Sequence, residues 1–390
     1  MKEHNQKIAI FTGSDLRSFG GGEKDVIGLV NAAPDLDITV YSLIDNANAR
    51  MTFDAIFKLL QNKSSVVFYS AIKSKFLRDV FPFSFSGLKV LFGLRRYHAV
   101  YSMHQGLFLN GLILLICKVF NVRFIFGIHS PILFDDKPIS PNFSRNLLMV
   151  FFSSYRNYLI RNIRYVRIQN SKDMQQLKSK GFKGTLYNIP PHVFNKINAF
   201  SGEINANKFI ALFVGRLSVR HKGLDLLKDI VVNTLRQNND IGFHVVGSGV
   251  EGEPIVKQLE MAFPSNFKWL GFLKEEDLEK EFVNSSIFIF PSRGENFGIS
   301  LAEAQAYGLP SVAFSVMGSE DIITENILGT LVDPFDVLEF SNAILKYYKL
   351  MKENPDQYLD MRKSISQKTL SRYSDDVMVS KMKSMFLSEV

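Results

Sequence analysis

The sequence predicts an α/β protein built from two parallel-sheet domains in tandem. The chain has 390 residues, and because single cores stop growing at about 250–300 residues, two domains are expected. Short β-rich runs alternate with longer helical patterns in both halves, which is typical of doubly wound sheets. With 46% hydrophobic residues, 22% charged residues and one cysteine, Cys117, the composition excludes a disordered chain and a disulfide framework.

Six strands are predicted in the first half, each β-branched or aromatic and nearly continuous in apolar character, as parallel strands buried on both faces are. They are Ile8–Thr12, Ile38–Ser42, Ser65–Tyr69, Ala99–Ser102, Arg123–Ile128 and Val166–Gln169. Helices are predicted near Glu23–Ala33, Phe53–Leu60, Leu107–Lys118 and Arg145–Arg161.

The second half repeats this scheme. Its predicted strands are Phe209–Val214, Gly242–Val246, Phe267–Leu270, Ile287–Phe290, Ser311–Phe314 and Thr330–Val332. Its predicted helices lie near Leu224–Arg236, Glu253–Met261, Glu276–Phe282, Ile299–Tyr307 and Val337–Met351, with a last amphipathic helix over Tyr373–Leu387.

The proline-containing stretch Asn188–Asn207 is interpreted as an interdomain linker. We therefore expect one Rossmann-like domain over residues 1–195 and a second over residues 196–370. Residues 371–390 would form a C-terminal helix that can pack back on the first domain. In such open sheets, ligands bind at the carboxyl ends of the strands.

Neither a secretory signal nor a membrane-spanning helix is expected. The apolar run Lys7–Thr12 is too short for the apolar region of a signal peptide. The longest apolar run, Gly106–Phe120, contains Asn110 and Lys118 and falls short of the roughly 20 residues that a bilayer requires. The sequence thus predicts a cytoplasmic protein, soluble or peripheral on the inner face of the membrane.

Charge is distributed unevenly along the chain. Residues 1–200 contain 26 Lys and Arg against 12 Asp and Glu, and residues 201–390 contain 20 against 26. The net charge of +8 therefore combines a basic first half with an acidic second half. Opposite charges predict domains with different partners, and a basic chain with 35 Phe could meet nucleic acid, a membrane surface or an anionic small molecule.

The stretch from Phe290 to Glu303, FPSRGENFGISLAE, carries the densest chemical signal. A strand ends at Phe290, a glycine-containing loop follows, and a helix is predicted from Ile299. Backbone N–H groups at residues 297–300 could face an anion there. The carboxylates of Glu295 and Glu303 suit sugar or ribose hydroxyls. A surface loop with solvated acids is the alternative, but loop, helix start and both acids coincide.

A second signal is the stretch from Val214 to Asp225, VGRLSVRHKGLD. Arg216 and Lys222 flank a turn between a predicted strand and a predicted helix. Two cations at the carboxyl end of a strand suit a diphosphate and would stabilise it as a leaving group. A solvated basic turn is an equally simple interpretation of this stretch alone.

Two weaker signals lie in the first half. The glycines Gly20, Gly21 and Gly22 precede Glu23 and open the first predicted helix, where the backbone can approach a ligand closely. His129 follows a predicted strand, so it should face the ligand-binding edge. A flexible turn and a structural histidine are the respective alternatives, and the remaining histidines show no metal-ligand spacing.

Together these residues resemble family 4 of the retaining glycosyltransferases, most specifically from Phe209 to Pro334. Glu295 and Glu303 match the family's E-x7-E motif. Further matches are the G-R-L…K-G element at Gly215–Gly223, the V-G-x-G turn at Val246–Gly249, the N-terminal G-G-x-E loop at Gly20–Glu23 and the family's histidine at His129. The resemblance implies the GT-B fold, with two Rossmann-like domains facing across a cleft.

The resemblance also implies roles on the donor side. Arg216 and Lys222 would hold the donor diphosphate. Glu303 would bind the ribose hydroxyls, and the turn that contains Gly247 and Gly249 would border the base. No metal or other cofactor is expected.

Further roles implied by the resemblance concern the transferred sugar and the acceptor. Glu295 would contact the donor sugar as a positioning residue, and His129 would touch that sugar near the acceptor. Gly21 and Gly22 would let their loop approach the phosphate. The loop at the donor sugar and phosphate would consist of Asn296, Phe297, Gly298 and Ile299.

The function implied by the resemblance is retaining, α-forming glycosyl transfer to a glycan or lipid-linked acceptor in cell-envelope polysaccharide or glycolipid synthesis. A UDP-sugar is the first choice of donor and a GDP-sugar the second. Two alternatives stay open: a nucleotide-sugar epimerase of the same fold and a non-catalytic sugar-nucleotide-binding protein.

Basic and aromatic residues are interleaved in Lys73–Arg96 and Arg145–Arg167. Such surfaces favour anionic membranes, and each base near the bilayer contributes about 1 kcal/mol. The hypothesis is peripheral attachment near a lipid-linked acceptor; solvated arginines over core aromatics are the alternative. Nucleic acid is not an expected partner, because no RNA- or DNA-binding signature accompanies these segments.

Overall fold

The computed structural model of the chain describes residues 6–18, 21–44, 49, 51–60, 64–70, 90–103, 107–129, 154–191, 200, 202 and 208–388. The chain divides into two compact units. Unit 1 comprises residues 1–193 and 375–390, and unit 2 comprises residues 194–374. Each contains one parallel sheet with helices, which confirms the predicted α/β fold class.

Unit 1 has a seven-stranded sheet in the order β3-β2-β1-β4-β5-β6-β7, with every neighbouring pair parallel. The strands are β1 Lys7–Phe11, β2 Asp37–Ile44, β3 Ser65–Ser70, β4 Ala99–Ser102, β5 Arg123–Gly127, β6 Tyr165–Ile168 and β7 Thr185–Asn188. The helices with described bounds before residue 190 are α1 Gly21–Ala32, α2 Phe53–Leu59, α3 Leu107–Val119 and α4 Ser171–Ser179, and residues 154–162 are also helical.

Unit 2 has a six-stranded parallel sheet in the order β10-β9-β8-β11-β12-β13. The strands are β8 Phe209–Val214, β9 Ile241–Val246, β10 Phe267–Gly271, β11 Ile287–Phe290, β12 Ser311–Phe314 and β13 Gly329–Val332. The helices are α5 Val219–Lys222, α6 Leu224–Gln237, α7 Glu253–Ala262, α8 Glu275–Asn284, α9 Ile299–Ala306, α10 Ser319–Ile322, α11 Val337–Glu353 and α12 Pro355–Tyr373.

The sheet of unit 2 is buried on both faces, which explains its nearly continuous apolar strands. Along β8, Phe209, Ala211 and Phe213 join one buried cluster, while Leu212 joins the cluster on the opposite face. The chain runs outward from β8 through β9 and from β11 through β12, so the strand order reverses between β8 and β11. Ligands of open α/β sheets bind at such a reversal.

Helix α13, Asp375–Leu387, belongs to unit 1. Its Met378, Met382 and Phe386 are fully buried in the same cluster as residues of α1 and β1. Arg123 of β5 donates from Nε to the Met385 carbonyl (3.0 Å) and from Nη1 to the Ser388 carbonyl (2.9 Å). A cation at the carboxyl end of α13 satisfies carbonyls that lack helical partners.

The interpretation of Asn188–Asn207 as a linker is wrong at its start. Asn188 ends β7, and Ile189 is buried within unit 1. Strand β7 carries little apolar signal because it lies at the sheet edge with Thr185 and Asn188 exposed. The rest of the segment, apart from residues 189–191, 200 and 202, lies outside the described residues.

No helix in the described part of the chain combines the length and the apolar character that crossing a membrane requires.

Candidate functional site

The carboxyl ends of β8 and β11 carry the two motifs of unit 2 and lie side by side at the strand-order reversal. Residues 215–223 follow β8 and contain the short helix α5, and residues 291–298 follow β11 and lead into α9. Parallel strands bring their carboxyl ends to one edge, so two sequence-distant motifs become neighbours. The reversal is the position at which a doubly wound sheet forms its crevice.

Lys222 and Glu295 form an ion pair across these loops. Nζ of Lys222 lies 2.5 Å from Oε1 of Glu295, with the side chains 17% and 22% exposed. The contact lacks hydrogen-bond geometry, since Oε1 of Glu295 has no hydrogen-bond partner among the described residues. The ammonium also lies 5.3 Å from the Phe290 ring centroid. The structure thus joins two residues that the sequence placed in separate motifs.

Helix α9 begins directly behind Glu295 with an open N-terminus. Its N-cap is Gly298, in a left-handed conformation (φ 91°), and no side chain caps the helix. The N–H groups of Leu301 and Ala302 donate to the Gly298 carbonyl, so those of Ile299 and Ser300 precede the helical ladder. Free N–H groups and the helix dipole suit an anionic group at this end.

Gly318 fixes the backbone at Glu295. It has φ 92°, and a Cβ added there would lie 2.6 Å from the Glu295 carbonyl oxygen and 3.0 Å from its Cβ. The N–H of Glu295 donates to the Met317 carbonyl at 3.0 Å. Only glycine permits both the positive φ and this close approach.

The hydroxyl oxygens of two serines beside α9 have no hydrogen-bond partner among the described residues. Ser292 is fully buried, and Ser300 is partly buried in the first turn of α9. Neither Oγ atom is bonded within the described part of the chain. Buried polar groups are normally satisfied, so each of these hydroxyls can take a further hydrogen-bond partner.

The remaining predicted donor-side residues occupy the same edge of the sheet. The guanidinium of Arg216 is exposed and makes no hydrogen bond or ion pair with any residue that the structure describes. Glu303 is partly exposed within α9, and the Phe297 side chain is buried against Tyr373 with ring centroids 5.4 Å apart. Asn296 is partly exposed in the loop before α9. Phe297 can therefore offer a ligand only its backbone.

The predicted base-side turn is held by close backbone packing. A Cβ on Gly247 (φ 138°) would lie 1.8 Å from the Gly215 carbonyl oxygen, and one on Gly249 would lie 2.6 Å from the Leu217 carbonyl oxygen. Trp269 donates from Nε1 to the Gly247 carbonyl at 3.0 Å. Glycine at both positions thus lets this turn lie directly against the loop that carries Arg216.

Sequence reasoning assigned no role to Arg293 and Asp225. Nη1 of Arg293 lies 2.7 Å from Oδ1 of Asp225, and Nη2 lies 2.6 Å from Oδ2. The hydrogen bonds from Arg293 lower the pKa of the Asp225 carboxyl. The only sign of this pair in the sequence was that one motif contains an acid, Asp225, and the other contains a base, Arg293.

In unit 1, His129 is held by a buried polar network after β5. Its Nε2 lies 2.7 Å from the Tyr101 hydroxyl, and its Nδ1 lies 2.8 Å from Nε2 of Gln169. Arg167 is fully buried and donates to both carboxylate oxygens of Asp25 (2.7 and 2.9 Å) and to the Tyr101 hydroxyl (3.0 Å). The network joins α1 to the ends of β4, β5 and β6.

The network fixes the protonation state of His129. The atom of Gln169 that faces Nδ1 is the amide nitrogen, which can only donate, so in this arrangement Nδ1 accepts and the proton sits on Nε2. Burial lowers the pKa of His129 to about 4; the nearby Asp25 carboxylate opposes this effect, and Arg167 adds to it. His129 is therefore neutral near pH 7, and both ring nitrogens are already engaged within unit 1.

The glycines of the N-terminal loop begin α1. Gly21 and Gly22 are its first two residues, and a Cβ on Gly22 would meet nothing within 4 Å. Gly20 lies outside the described residues. Glu23, in the first turn, accepts a hydrogen bond from the Ser14 hydroxyl, so the loop after β1 is tied to the start of α1.

The two basic segments are only partly described. Residues 71–89 and 130–153 lie outside the described residues, and with them most of the predicted basic and aromatic side chains. Arg156 and Arg167 are buried, so their expected exposure is wrong. Arg167 instead satisfies Asp25, because an isolated buried carboxylate would be costly.

Among the described residues, no three His, Cys, Asp or Glu side chains are grouped as metal ligands would be.

Comparison with known families gives one match inside unit 2. Residues 208–349 match the family described as Glycosyl transferases group 1. This range contains the ion pair of Lys222 and Glu295 and the whole of α9.

Curated relatives match about a third of the chain. A 2-deoxystreptamine N-acetyl-D-glucosaminyltransferase from Niallia circulans is 30% identical over 140 residues, which is 36% of each chain. A GDP-mannose-dependent alpha-mannosyltransferase from Corynebacterium glutamicum is 33% identical over 132 residues, 34% of this chain and 29% of the relative. The chain spans about a third of the length of the curated relatives that it matches.

Solved structures match along the whole chain. Alr3699/HepE from Anabaena, solved in complex with UDP, superposes with a TM-score of 0.71 at 18% identity and covers 98% of this chain and 100% of its own. This similarity shows the fold. The chain therefore has the GT-B fold, and residues 208–349 are similar to the glycosyl transferases group 1 family.

Proposed function

We propose that the chain is a retaining glycosyltransferase of family 4 that moves a sugar from a nucleotide-sugar donor to a glycan or lipid-linked acceptor. The synthesis of a cell-envelope polysaccharide or glycolipid is the process proposed for it. The observation that carries the proposal is the meeting of Lys222 and Glu295 at the strand-order reversal, beside the open N-terminus of α9. A cation, a carboxylate and N–H donors converge there, as a diphosphate sugar requires.

The donor diphosphate is proposed to lie between the cations and α9. Lys222 and the exposed Arg216 neutralise its charge, and the N–H groups at the start of α9 bind its oxygens. Glu303 accepts hydrogen bonds from the ribose hydroxyls, and the turn at Gly247 and Gly249 borders the base. These groups gain interaction energy as negative charge grows on the leaving diphosphate, which lowers the barrier.

The proposed reaction retains configuration without a covalent enzyme intermediate. The bond between the anomeric carbon and the diphosphate oxygen breaks, and the acceptor hydroxyl forms its bond on the same face. The acceptor proton passes to a phosphate oxygen, so the nucleoside diphosphate leaves protonated or loses that proton to water. Glu295 orients the sugar through its hydroxyls and takes no proton.

Unit 1 is proposed to contribute the acceptor side. The start of α1 at Gly21 and Gly22 allows a phosphate or acceptor to approach the backbone closely. His129, neutral and fixed by Tyr101 and Gln169, is proposed to contact the transferred sugar as an uncharged group.

A binding screen followed by a transfer assay tests the proposal. We expect UDP-sugars, then GDP-sugars, to raise the unfolding temperature, because a ligand that binds only the folded state stabilises it. Release of the nucleotide should depend on an acceptor and fall about 100-fold in Glu295→Gln. Binding without transfer would favour a non-catalytic sugar-nucleotide-binding protein, and conversion of the free nucleotide sugar would favour an epimerase. No stabilisation by any nucleotide would overturn the proposal.

Peripheral attachment to an anionic membrane is proposed for one surface of unit 1. Leu115 and Val119 of α3 are 58% and 70% exposed, and Tyr158 on the neighbouring helical segment is 59% exposed. Lys118 contacts Asn162 at 3.2 Å, which places the two helices side by side. Apolar side chains among bases fit the boundary between acyl chains and anionic headgroups.

Co-sedimentation with vesicles tests this attachment. Wild-type protein should bind phosphatidylglycerol vesicles at physiological salt, and Val119→Glu should weaken binding. Met261→Glu is the matched control, because Met261 is 78% exposed on unit 2. Equal binding by both variants, or none by wild type, would rule out this surface.

A further inference from the structure

Arg293 contacts the neighbouring loop at several points but belongs to the loop that carries Glu295. Its backbone N–H donates to the His221 carbonyl at 2.9 Å. Its Nη1 donates to the Val219 carbonyl at 2.7 Å, and its guanidinium binds both oxygens of Asp225. These partners lie on both sides of Lys222 in the sequence.

The backbones of the two loops also approach closely beside Arg293. A Cβ on Gly223 (φ 65°) would lie 2.2 Å from the Pro291 carbonyl oxygen. Gly223 links α5, which ends at Lys222, to α6, which contains Asp225 in its first turn. The junction that ends in Lys222 is therefore fixed against the start of the Glu295 loop by main-chain packing and by one side chain.

The pair of Arg293 and Asp225 contributes little to stability but fixes the orientation of the two side chains. The two side chains are 31% and 44% exposed, and exposed ion pairs contribute little to stability. A guanidinium that binds a carboxylate with both arms has a fixed orientation, which an ammonium cannot reproduce. The main effect of the pair is therefore to hold the two loops that carry Arg293 and Asp225 in a fixed relative position.

A strained residue completes the surroundings of Arg293. Phe335 adopts φ 71°, a conformation that is unfavourable for an aromatic residue, and its ring centroid lies 5.7 Å from the guanidinium carbon of Arg293. The ring also packs edge-on against Phe314, with centroids 5.7 Å apart. Backbone strain of this kind persists where the surrounding structure requires it.

We propose that Arg293 is a positioning residue that sets the distance between Lys222 and Glu295 through its fork on Asp225 and its bond to the Val219 carbonyl. The inference rests on the proposed function for its kinetic consequences. Its structural consequence, the immobilisation of residues 219–223, can be measured without any substrate.

The decisive variant is Arg293→Lys, which keeps the charge and loses the fork. Amide hydrogen exchange of peptides covering residues 219–226 should become faster by about tenfold, the factor that one charge-assisted hydrogen bond supports. The thermal midpoint should fall by only a few degrees, since the pair is partly exposed. Glu325→Gln is the matched control, because it breaks a partly exposed pair with Lys368 (2.7 Å) elsewhere in unit 2.

Kinetics separate this inference from the proposed function. Where wild-type protein transfers sugar, Arg293→Lys should lower kcat by about tenfold or more, because misplacement of about 1 Å is costly, while UDP still stabilises the protein. The double variant Arg293→Asp with Asp225→Arg, which restores a guanidinium–carboxylate pair, should recover part of the lost kcat. Unchanged exchange over residues 219–226 would overturn the inference whether or not the protein transfers sugar, and changed exchange with wild-type kcat would exclude its role in the reaction.

Discussion

Lys222 pairs with Glu295 at 2.5 Å, so a donor diphosphate must compete with a carboxylate for the same ammonium. The two side chains follow adjacent strands, and the distance between them is set by the loops that carry them. This competition predicts that a mutation can change donor binding and sugar transfer in different directions.

Replacing Glu295 with glutamine should uncouple the two. The amide keeps the shape but leaves Lys222 without its carboxylate, so UDP binding should be maintained or strengthened. The transfer rate should fall about 100-fold, because orientation of the sugar is lost. Isothermal titration with UDP and single-turnover transfer measure the two effects. UDP affinity that falls in parallel with the rate would contradict the assignment.

Gly318→Ala should lower activity through the backbone of Glu295. The new Cβ would meet the Glu295 carbonyl at 2.6 Å, and φ 92° adds strain of about 1 kcal/mol or more. Transfer should fall by at least about tenfold. Gly181→Ala is the control, because Gly181 has φ 84° but its Cβ would meet nothing closer than 3.6 Å. Similar losses of activity in both variants would mean that strain alone is responsible.

Acid should destabilise the protein through His129. In the unfolded chain its pKa is near 6.5, whereas burial lowers it to about 4 in the folded protein. Between these values the unfolded state binds more protons, so stability falls as pH drops from about 6.5 to about 4, by on the order of 3 kcal/mol. The free energy of unfolding, measured with urea at several pH values in this range, should change less with pH in His129→Gln than in wild type.

Arg123→Ala should destabilise unit 1. It leaves the Met385 and Ser388 carbonyls without their donor and removes the bond to the Tyr187 hydroxyl (2.6 Å). The expected loss is about 2–4 kcal/mol, measured by chemical unfolding. Lys383→Ala, which breaks an exposed contact to Asp35, should cost less than about 1 kcal/mol. Equal losses would contradict a capping role for Arg123.

Metal independence stays a prediction, and removing metal tests it. Incubation with EDTA followed by gel filtration should leave the transfer rate unchanged. Loss of activity that returns on adding Mg²⁺ or Mn²⁺ would contradict it.

Periodicity predicted strands such as Phe209–Val214 and Ile287–Phe290 with their observed bounds, because both faces of these strands are buried. Helix α12, Pro355–Tyr373, was not predicted. Its buried face includes Arg362, Ser366 and Thr369, whose polar groups bond to backbone carbonyls, so it carries little apolar signal.

The candidate site was predictable as two motifs, because glycines and charged residues mark loops after strands. The pairing of Lys222 with Glu295 and of Asp225 with Arg293 was not predictable, since it depends on which strands become neighbours. His129 was identified by its place after β5, but its neutrality could not be predicted, because it comes from burial and from the nearby Arg167 of β6, while Asp25 of α1 acts in the opposite direction.

Helix α13 has a consequence for how the chain is made. Residues 375–388 supply Met378, Met382 and Phe386 to the core of a unit whose other residues precede position 194. Unit 2 is continuous in sequence and can fold as it leaves the ribosome. Unit 1 must wait, with part of its apolar surface uncovered, until residues 375–388 are synthesised. The unit translated first is thus the one completed last.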